Sequence, residues 1–286
     1  MKICSVDEEG RYGGPQKRII EIAHSLSKYN ITTHILYPIL DSRRYQKEIK
    51  NLNLFSTPIF LTRLSKEKYI LCRYIFFFFY EVIIMYRFFI KNKFDIVQVN
   101  GSQQFKGALA ARLANIPIIW LLEDTMMDFR IKKICQNLIY HLASGIIVVA
   151  SRVYKYYIKG TRLELVPCVE IHTPTNTSIF NPKVVPVLKN LSIGGKTIIT
   201  TVSGLNPTKG VEYFIEMAYL LLKENKDLLF LIAGAKLKSH SRYVKKIEEV
   251  ILKKKIQNKI IFLGLIEEIP SLLKISNIFV CSSISE

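Results

Sequence analysis

Val202-Ser203-Gly204-Leu205-Asn206-Pro207-Thr208-Lys209-Gly210-Val211-Glu212 follows the apolar run Thr197–Val202 and opens an amphipathic stretch that reaches Glu224. A short β-branched run, a loop of Gly, Asn and Pro, and then a helical period make one half of a strand–helix–strand unit. The pattern repeats downstream, with strands at Leu228–Ala233, Ile260–Leu263 and Ile278–Cys281 and helices at Tyr243–Lys254 and Ile269–Leu273. Strands that are apolar throughout, rather than alternating, predict a parallel sheet covered by helices on both faces.

The same grammar governs the N-terminal half. Strands are expected at Lys2–Val6, Thr33–Tyr37, Ile96–Val99, Ile118–Leu122 and Gly145–Val149, with the clearest helices at Gln16–Tyr29 and Gln104–Leu113. Between the two series the pattern lapses into His172-Thr-Pro-Thr-Asn-Thr-Ser, Asn181-Pro182, Pro186 and Gly194-Gly195, a density of turn formers that marks a domain edge. The expected organisation is an α/β protein of two doubly wound domains: residues 1–182, a linker at 183–196, and 197–286. The strand C-terminal ends of the two domains are expected to face a shared cleft.

Composition narrows the function classes. The chain has 286 residues and a formal net charge of +18. Residues 1–150 carry 21 Lys/Arg against 12 Asp/Glu and residues 151–286 carry 20 against 11, so each half contributes +9 and no basic arm for nucleic acid stands out. A positive field of this size still attracts anionic lipid and phosphorylated substrates. Cys4, Cys72, Cys135, Cys168 and Cys281 form no CxxC pair and read as reduced thiols of a cytoplasmic protein. Lys2–Val6 runs directly into Asp7, Glu8 and Glu9, which is no signal peptide. From Tyr69 to Lys91 an aromatic-rich stretch is interrupted by Arg73, Glu81 and Arg87, which a helix places on roughly one face. The ordinary reading is a helix packed on a sheet; the sharper one is an interfacial helix seated on a membrane, with Phe77 and Phe78 as its probes.

Two loops carry chemistry. Glu9-Gly-Arg-Tyr-Gly13-Gly14-Pro15-Gln16 follows the first strand, and glycines ahead of a helix N-terminus let backbone N–H groups approach a phosphate or sugar. The spacing is not G-x-G-x-x-G, which disfavours a nicotinamide dehydrogenase. Lys209, at the start of the helix from Val211, is positioned to place a cation on a diphosphate, where the helix terminus already favours anions.

These pieces, in this order, resemble the family-4 retaining glycosyltransferases of GT-B fold (glycosyl transferases group 1). The resemblance is carried by Gly13-Gly14, Asp95-Ile-Val-Gln-Val-Asn100, Ala143-Ser-Gly-Ile-Ile-Val-Val-Ala-Ser151, Ser178-Ile-Phe-Asn-Pro182, Ser203-Gly-Leu-Asn-Pro-Thr-Lys-Gly210, Leu231-Ile-Ala-Gly234, Ile261-Phe-Leu-Gly264 and Phe279-Val-Cys-Ser-Ser-Ile-Ser-Glu286. It implies two Rossmann-like domains and transfer of a sugar from a nucleotide-sugar to a glycan or lipid-linked acceptor with retention, in cell-surface polysaccharide synthesis. It implies that residues 1–182 form the acceptor-side domain and 197–286 a partial nucleotide-sugar-binding domain, with Gly13 and Gly14 lining the cleft by the donor phosphates and acceptor and Ser203, Gly204, Gly234 and Ser283 also on the donor side. Lys209 would bind the diphosphate, and Gly264, Leu265 and Ile266 would sit at the base. Glu286 matches the first of two family glutamates that hold the donor sugar and ribose. No cofactor and no metal are implied, and no Asp-x-Asp cluster is found. The implied location is cytoplasmic, with peripheral contact at the inner face of the plasma membrane.

Departures from the pattern are equally specific. Gly204 stands where the family commonly has Arg, and Glu123, in Trp120-Leu-Leu-Glu-Asp124, stands where many members have His. A carboxylate beside an anionic donor repels it unless paired or protonated. Glu123 or Asp124 is therefore expected to meet sugar hydroxyls; the competing role for Asp124 is capping the helix after it. The second glutamate lies beyond Glu286, so the second domain reads as incomplete and the 286-residue chain as poorly active. The alternatives are a non-catalytic nucleotide-binding fragment and a nucleotide-sugar epimerase of the same fold.

Overall fold

The computed structural model describes residues 1–65, 67–125, 127–183, 195–236 and 240–284. The chain divides into two compact units, Met1–Pro174 and Thr175–Glu286.

The first unit is built on a fully parallel sheet. Its strands are β1 (Lys2–Val6), β2 (Thr32–Pro38), β3 (Phe55–Ile59), β4 (Ile96–Asn100), β5 (Ile118–Leu122), β6 (Gly145–Val148) and β7 (Cys168–Glu170), in the order β3-β2-β1-β4-β5-β6-β7. Its helices are α1 (Gly14–Ser27), α2 (Arg43–Asn51), α3 (Lys68–Asn92), α4 (Phe105–Leu113), α5 (Phe129–Leu142) and α6 (Ser151–Tyr157). Alternation along β2 divides the core between two layers. Leu36 joins Cys4, Val6, Val97, Val99 and Trp120 in one cluster, while Ile35 and Tyr37 pack with Ile19, Ile20 and Ile49 of α1 and α2 in another. The strand order reverses direction between β1 and β4, which leaves a crevice at their carboxyl ends.

Between Asp41 and Lys68, where the sequence pattern marks no strand or helix, lie α2 and the edge strand β3. Pro58 lies within β3, and an edge position tolerates it because one ladder N–H is dispensable there.

Helix α3 corrects the expected charged face. Glu81 is fully buried, together with Tyr74, Val82, Met85 and Phe89, and its carboxylate pairs with the equally buried Lys106 of α4. The solvent face is aromatic instead: Phe76 is 80% and Phe79 73% exposed, with Ile75, Tyr80, Ile83 and Ile90 also exposed. Phe77 and Phe78 are the half-buried pair, packed against Phe60 and Tyr74 respectively.

The second unit repeats the topology on a smaller scale. Strands β8 (Thr197–Val202), β9 (Leu228–Ala233), β10 (Ile260–Gly264) and β11 (Ile278–Phe279) form a parallel sheet in the order β10-β9-β8-β11. Helices α7 (Val211–Glu224) and α8 (Ser241–Lys253) cover one face and α9 (Ile269–Ile275) the other. Every residue of β9 is buried, as its uninterrupted apolar sequence requires of a central strand. Residues 175–183 group with this unit, eight residues earlier than the boundary expected at 182. Lys274 Nζ donates to Pro182 O at 2.7 Å, and Phe180–Pro182 share a cavity of about 360 Å³ with Pro270 and Leu273. Most of the expected linker, residues 184–194, lies outside the described residues.

Candidate functional site

In the second unit the residues singled out by sequence converge at the carboxyl ends of β8, β9 and β10. Ser203 N–H donates to Ala233 O at 2.7 Å and Gly234 N–H to Gly264 O at 2.7 Å, so the three strand ends are stitched together by backbone alone. The approach is close enough to demand glycine: a Cβ on Gly234 would lie 2.0 Å from Ser203 O. Asn206 then shapes the loop, its Oδ1 accepting from Thr208 Oγ1 at 2.5 Å and from Lys209 N–H at 3.2 Å. Pro207–Lys209 form a single 3-10 turn, so Lys209 precedes α7 rather than opening it.

The segment after β11 closes against that turn. Ser282 Oγ donates to Lys209 O at 3.1 Å, and Ile284 N–H donates to Thr208 O at 2.9 Å. Gly210, at φ +58°, admits this contact, because a Cβ there would meet Ser282 O at 2.2 Å. Ser283 lies in the same segment, beside a loop of small residues, hydroxyls and one lysine. Glu286 lies outside the described residues. Of the residues expected at the base, Leu265 is exposed, whereas Ile266 packs against the cluster of Ile198, Leu231 and Leu272.

The first unit assembles a different chemistry. Gly13 caps α1, its N–H donating to Gln16 Oε1 at 3.0 Å. Neither glycine is forced by the protein's own packing: a Cβ on Gly14 meets nothing within 4 Å, and one on Gly13 meets Gln16 Oε1 at 3.4 Å. Glu123, just past β5, is paired, with Arg18 Nη1 of α1 at 3.5 Å. Burial pushes the Glu123 carboxyl above the ordinary carboxylate range and the Arg18 guanidinium below its own, so desolvation outweighs the mutual attraction on both sides. Asp124 does not cap α5; Asp128 does, accepting from Arg130 N–H at 2.9 Å. Asp124 accepts instead from Ser102 Oγ and from Tyr157 OH, each at 3.0 Å.

Sequence reasoning missed the acidic centre of this unit. Asp7 and Glu8, immediately after β1, are almost fully buried, and burial raises both to about 7 against the opposing pull of their hydrogen-bond partners and of Lys106. Lys106 Nζ bridges Glu8 Oε2 at 3.2 Å, the Glu81 carboxylate and Thr62 O, with the Tyr74 ring 4.3 Å away. Two buried carboxylates thus share one ammonium. The only sequence signal was the run Asp7-Glu8-Glu9 directly after a strand. Among the described residues no group of three or more His, Cys, Asp or Glu could hold a metal ion.

With this geometry in place, likeness to known proteins becomes interpretable. Residues 188–286 match the family model described as glycosyl transferases group 1. The chain as a whole superposes on HepE of Anabaena solved with UDP-glucose, at a TM-score of 0.80 and 19% identity over 99% of this chain and 74% of that one. A glycosyltransferase of Rickettsia africae gives 0.78 at 20% identity, covering 99% and 73%, and the sucrose-phosphate synthase of Thermosynechococcus elongatus 0.75 at 12%, covering 99% and 75%. No curated protein matches the sequence. These findings define a GT-B fold for the chain, with the second unit similar to glycosyl transferases group 1 over residues 188–286.

Proposed function

We propose that the chain binds a nucleotide-sugar in its second unit and takes part in retaining transfer of the sugar to a glycan or lipid-linked acceptor, in cell-surface polysaccharide synthesis. The observation that carries this reading is the loop from Ser203 to Gly210, where Lys209 and the start of the 14-residue helix α7 meet at a switch point. Departure of a nucleoside diphosphate builds negative charge, and a lysine with a helix N-terminus stabilises it. HepE, of the same fold, has been solved with UDP and with UDP-glucose, which makes UDP the first nucleotide to test. Glu123 and Asp124 are assigned to sugar hydroxyls, and the leaving phosphate to assisting deprotonation of the acceptor. Calorimetric titration of the full chain with UDP is expected to give saturable binding that Lys209→Ala weakens roughly tenfold. Equal affinity in the variant removes Lys209 from the site, and absence of UDP and UDP-glucose binding removes the donor reading.

Peripheral seating on a cytoplasmic membrane face is favoured by one separate feature, the exposed row Ile75, Phe76, Phe79, Tyr80 and Ile83 on α3. Helix α3 is long and apolar enough to cross a membrane, and 22% of its most apolar window is buried. Exposed Arg87, Lys91 and Lys93 at its C-terminal end and a net charge of +18 complement anionic lipid. Phe76→Glu with Phe79→Glu is expected to abolish pelleting with phosphatidylglycerol vesicles; these positions replace Phe77 and Phe78, which pack inward.

A further inference from the structure

We infer that the cavity at the amino ends of β2 and β3 is a binding site for an uncharged oligosaccharide. It lies in the first unit at the opposite end of the sheet from the β1–β4 crevice, and it requires neither a bound nucleotide nor catalysis. Its volume is about 370 Å³, within the range of small-molecule sites.

Two helix ends build the cavity. The turns that close α1 and α2 each place an asparagine in the left-handed region, Asn30 at φ +58° and Asn53 at φ +51°. After α1, Asn30 N–H donates to Ser27 O and Ile31 N–H to Leu26 O, each at 3.2 Å. After α2, Asn53 N–H donates to Lys50 O at 3.0 Å and Leu54 N–H to Ile49 O at 3.3 Å. Glycine is the usual residue at this position; asparagine gives each fixed helix end a carboxamide, and both residues line the cavity. Each carboxamide can donate and accept, as a sugar hydroxyl does. Thr32 and His24 line the same space.

Phe55 supplies the apolar counterpart. It is the first residue of the edge strand β3 and is 64% exposed, with Leu52 also exposed on the same cavity. A flat apolar ring beside groups that donate and accept fits a pyranose, which has an apolar C–H face and a rim of hydroxyls.

Charge decides against ionic ligands. Lys, Arg, Asp and Glu make up 22% of the chain, yet among the described residues none of them lines this cavity. An anion there faces the carbonyl ends of two helices, each equivalent to about half a negative charge, with no lining cation to hold it. A cation is opposed at longer range by a protein of net charge +18. A neutral polyol meets neither penalty.

The test is saturation-transfer NMR of full-length protein with maltotetraose, cellotetraose and chitotetraose, and with tetragalacturonate as an anionic oligosaccharide of the same length. At least one neutral tetrasaccharide is expected to bind saturably in the millimolar range, with tetragalacturonate roughly tenfold weaker. Phe55→Ala is expected to weaken that binding about tenfold, while Phe55→Tyr, which keeps the ring, stays within about twofold of wild type. Asn53→Gly removes a carboxamide but suits the left-handed backbone, and a loss of about fivefold is expected; it serves as the second probe should Phe55→Ala lose its fold. Failure of all three neutral ligands, equal binding of tetragalacturonate, or affinity unchanged in both Phe55→Ala and Asn53→Gly overturns the assignment. UDP affinity in the same samples is expected to stay constant across the variants. Oligosaccharide binding without UDP binding removes the donor reading and leaves this site standing.

Discussion

The carboxyl ends of β1 and β4 and those of β8 and β11 occupy the same topological position in two sheets of like strand order, and they are furnished with opposite chemistry. The first is walled by side chains: buried carboxylates, an amide and hydroxyls, held by Lys106 and Tyr157. The second is walled mainly by backbone: glycines at Gly210 and Gly234 that admit other chain segments at near-contact distance, with Lys209 as its cation. Topology places a crevice, and the residues after each strand decide what enters it. Directed acceptors suit hydroxyl groups, while a positive charge at a helix start suits a diphosphate, so one topology can furnish either kind of site.

Removing the ammonium that the first unit's carboxylates share is expected to have the largest effect on this contrast. Lys106→Met leaves Glu8 and Glu81 buried without their shared cation, Glu81 keeping only the Thr62 N–H, and is expected to cost about 3–5 kcal/mol, read as a fall in the denaturant midpoint of the first unit. Next comes Gly234→Ala, whose Cβ collides with Ser203 O; about 3 kcal/mol lost from the second unit is expected, while Gly14→Ala, with open space around it, stays within about 0.5 kcal/mol. If both glycine variants behave alike, the distinction between forced and unforced glycines fails. A smaller change separates the sites by ligand: Lys209→Ala weakens UDP about tenfold, whereas Glu9→Gln leaves UDP affinity unaltered.

The smallest expected effect is a slope. Glu8 and Asp7 are raised by burial from ordinary carboxylate values to about 7, so the folded state binds more protons than the unfolded chain between roughly pH 4 and 7. Their contribution to stability is therefore greatest below that window and is lost as pH rises through about 7. Glu8→Gln is expected to flatten this decline in thermal midpoint between pH 5 and pH 8. Identical slopes in wild type and variant would show that Glu8 does not titrate there.

Much of this architecture was legible in the sequence, because apolar runs are local. β1, β5, β8, α7 and β9 begin and end where their periodicity predicted. β3 escaped because Pro58, Ser56 and Thr57 do not resemble a buried strand, and only an edge position makes them acceptable. α2 escaped because its charged surface conceals Tyr45 and Ile49, the two residues that anchor it. The loop proposed for the donor was legible for a similar reason: Ser203–Gly210 is one contiguous stretch, and Gly234 and Gly264 each stand at the end of a recognisable strand.

What remained hidden depends on distance along the chain. Arg18 and Glu123 are 105 residues apart, and Glu81 and Lys106 are separated by 25. In the sequence Glu81 resembles an interruption of a greasy helix and Lys106 a surface lysine. The sequence by itself determined the central strands of the two parallel sheets, the helix that follows Gly210 and the loop proposed for a diphosphate, since hydrophobic periodicity and turn chemistry act over a few residues. Only the tertiary structure decided which carboxylates are buried and which face of α3 meets solvent. Burial and pairing are properties of neighbours brought together by packing, and no local pattern encodes them.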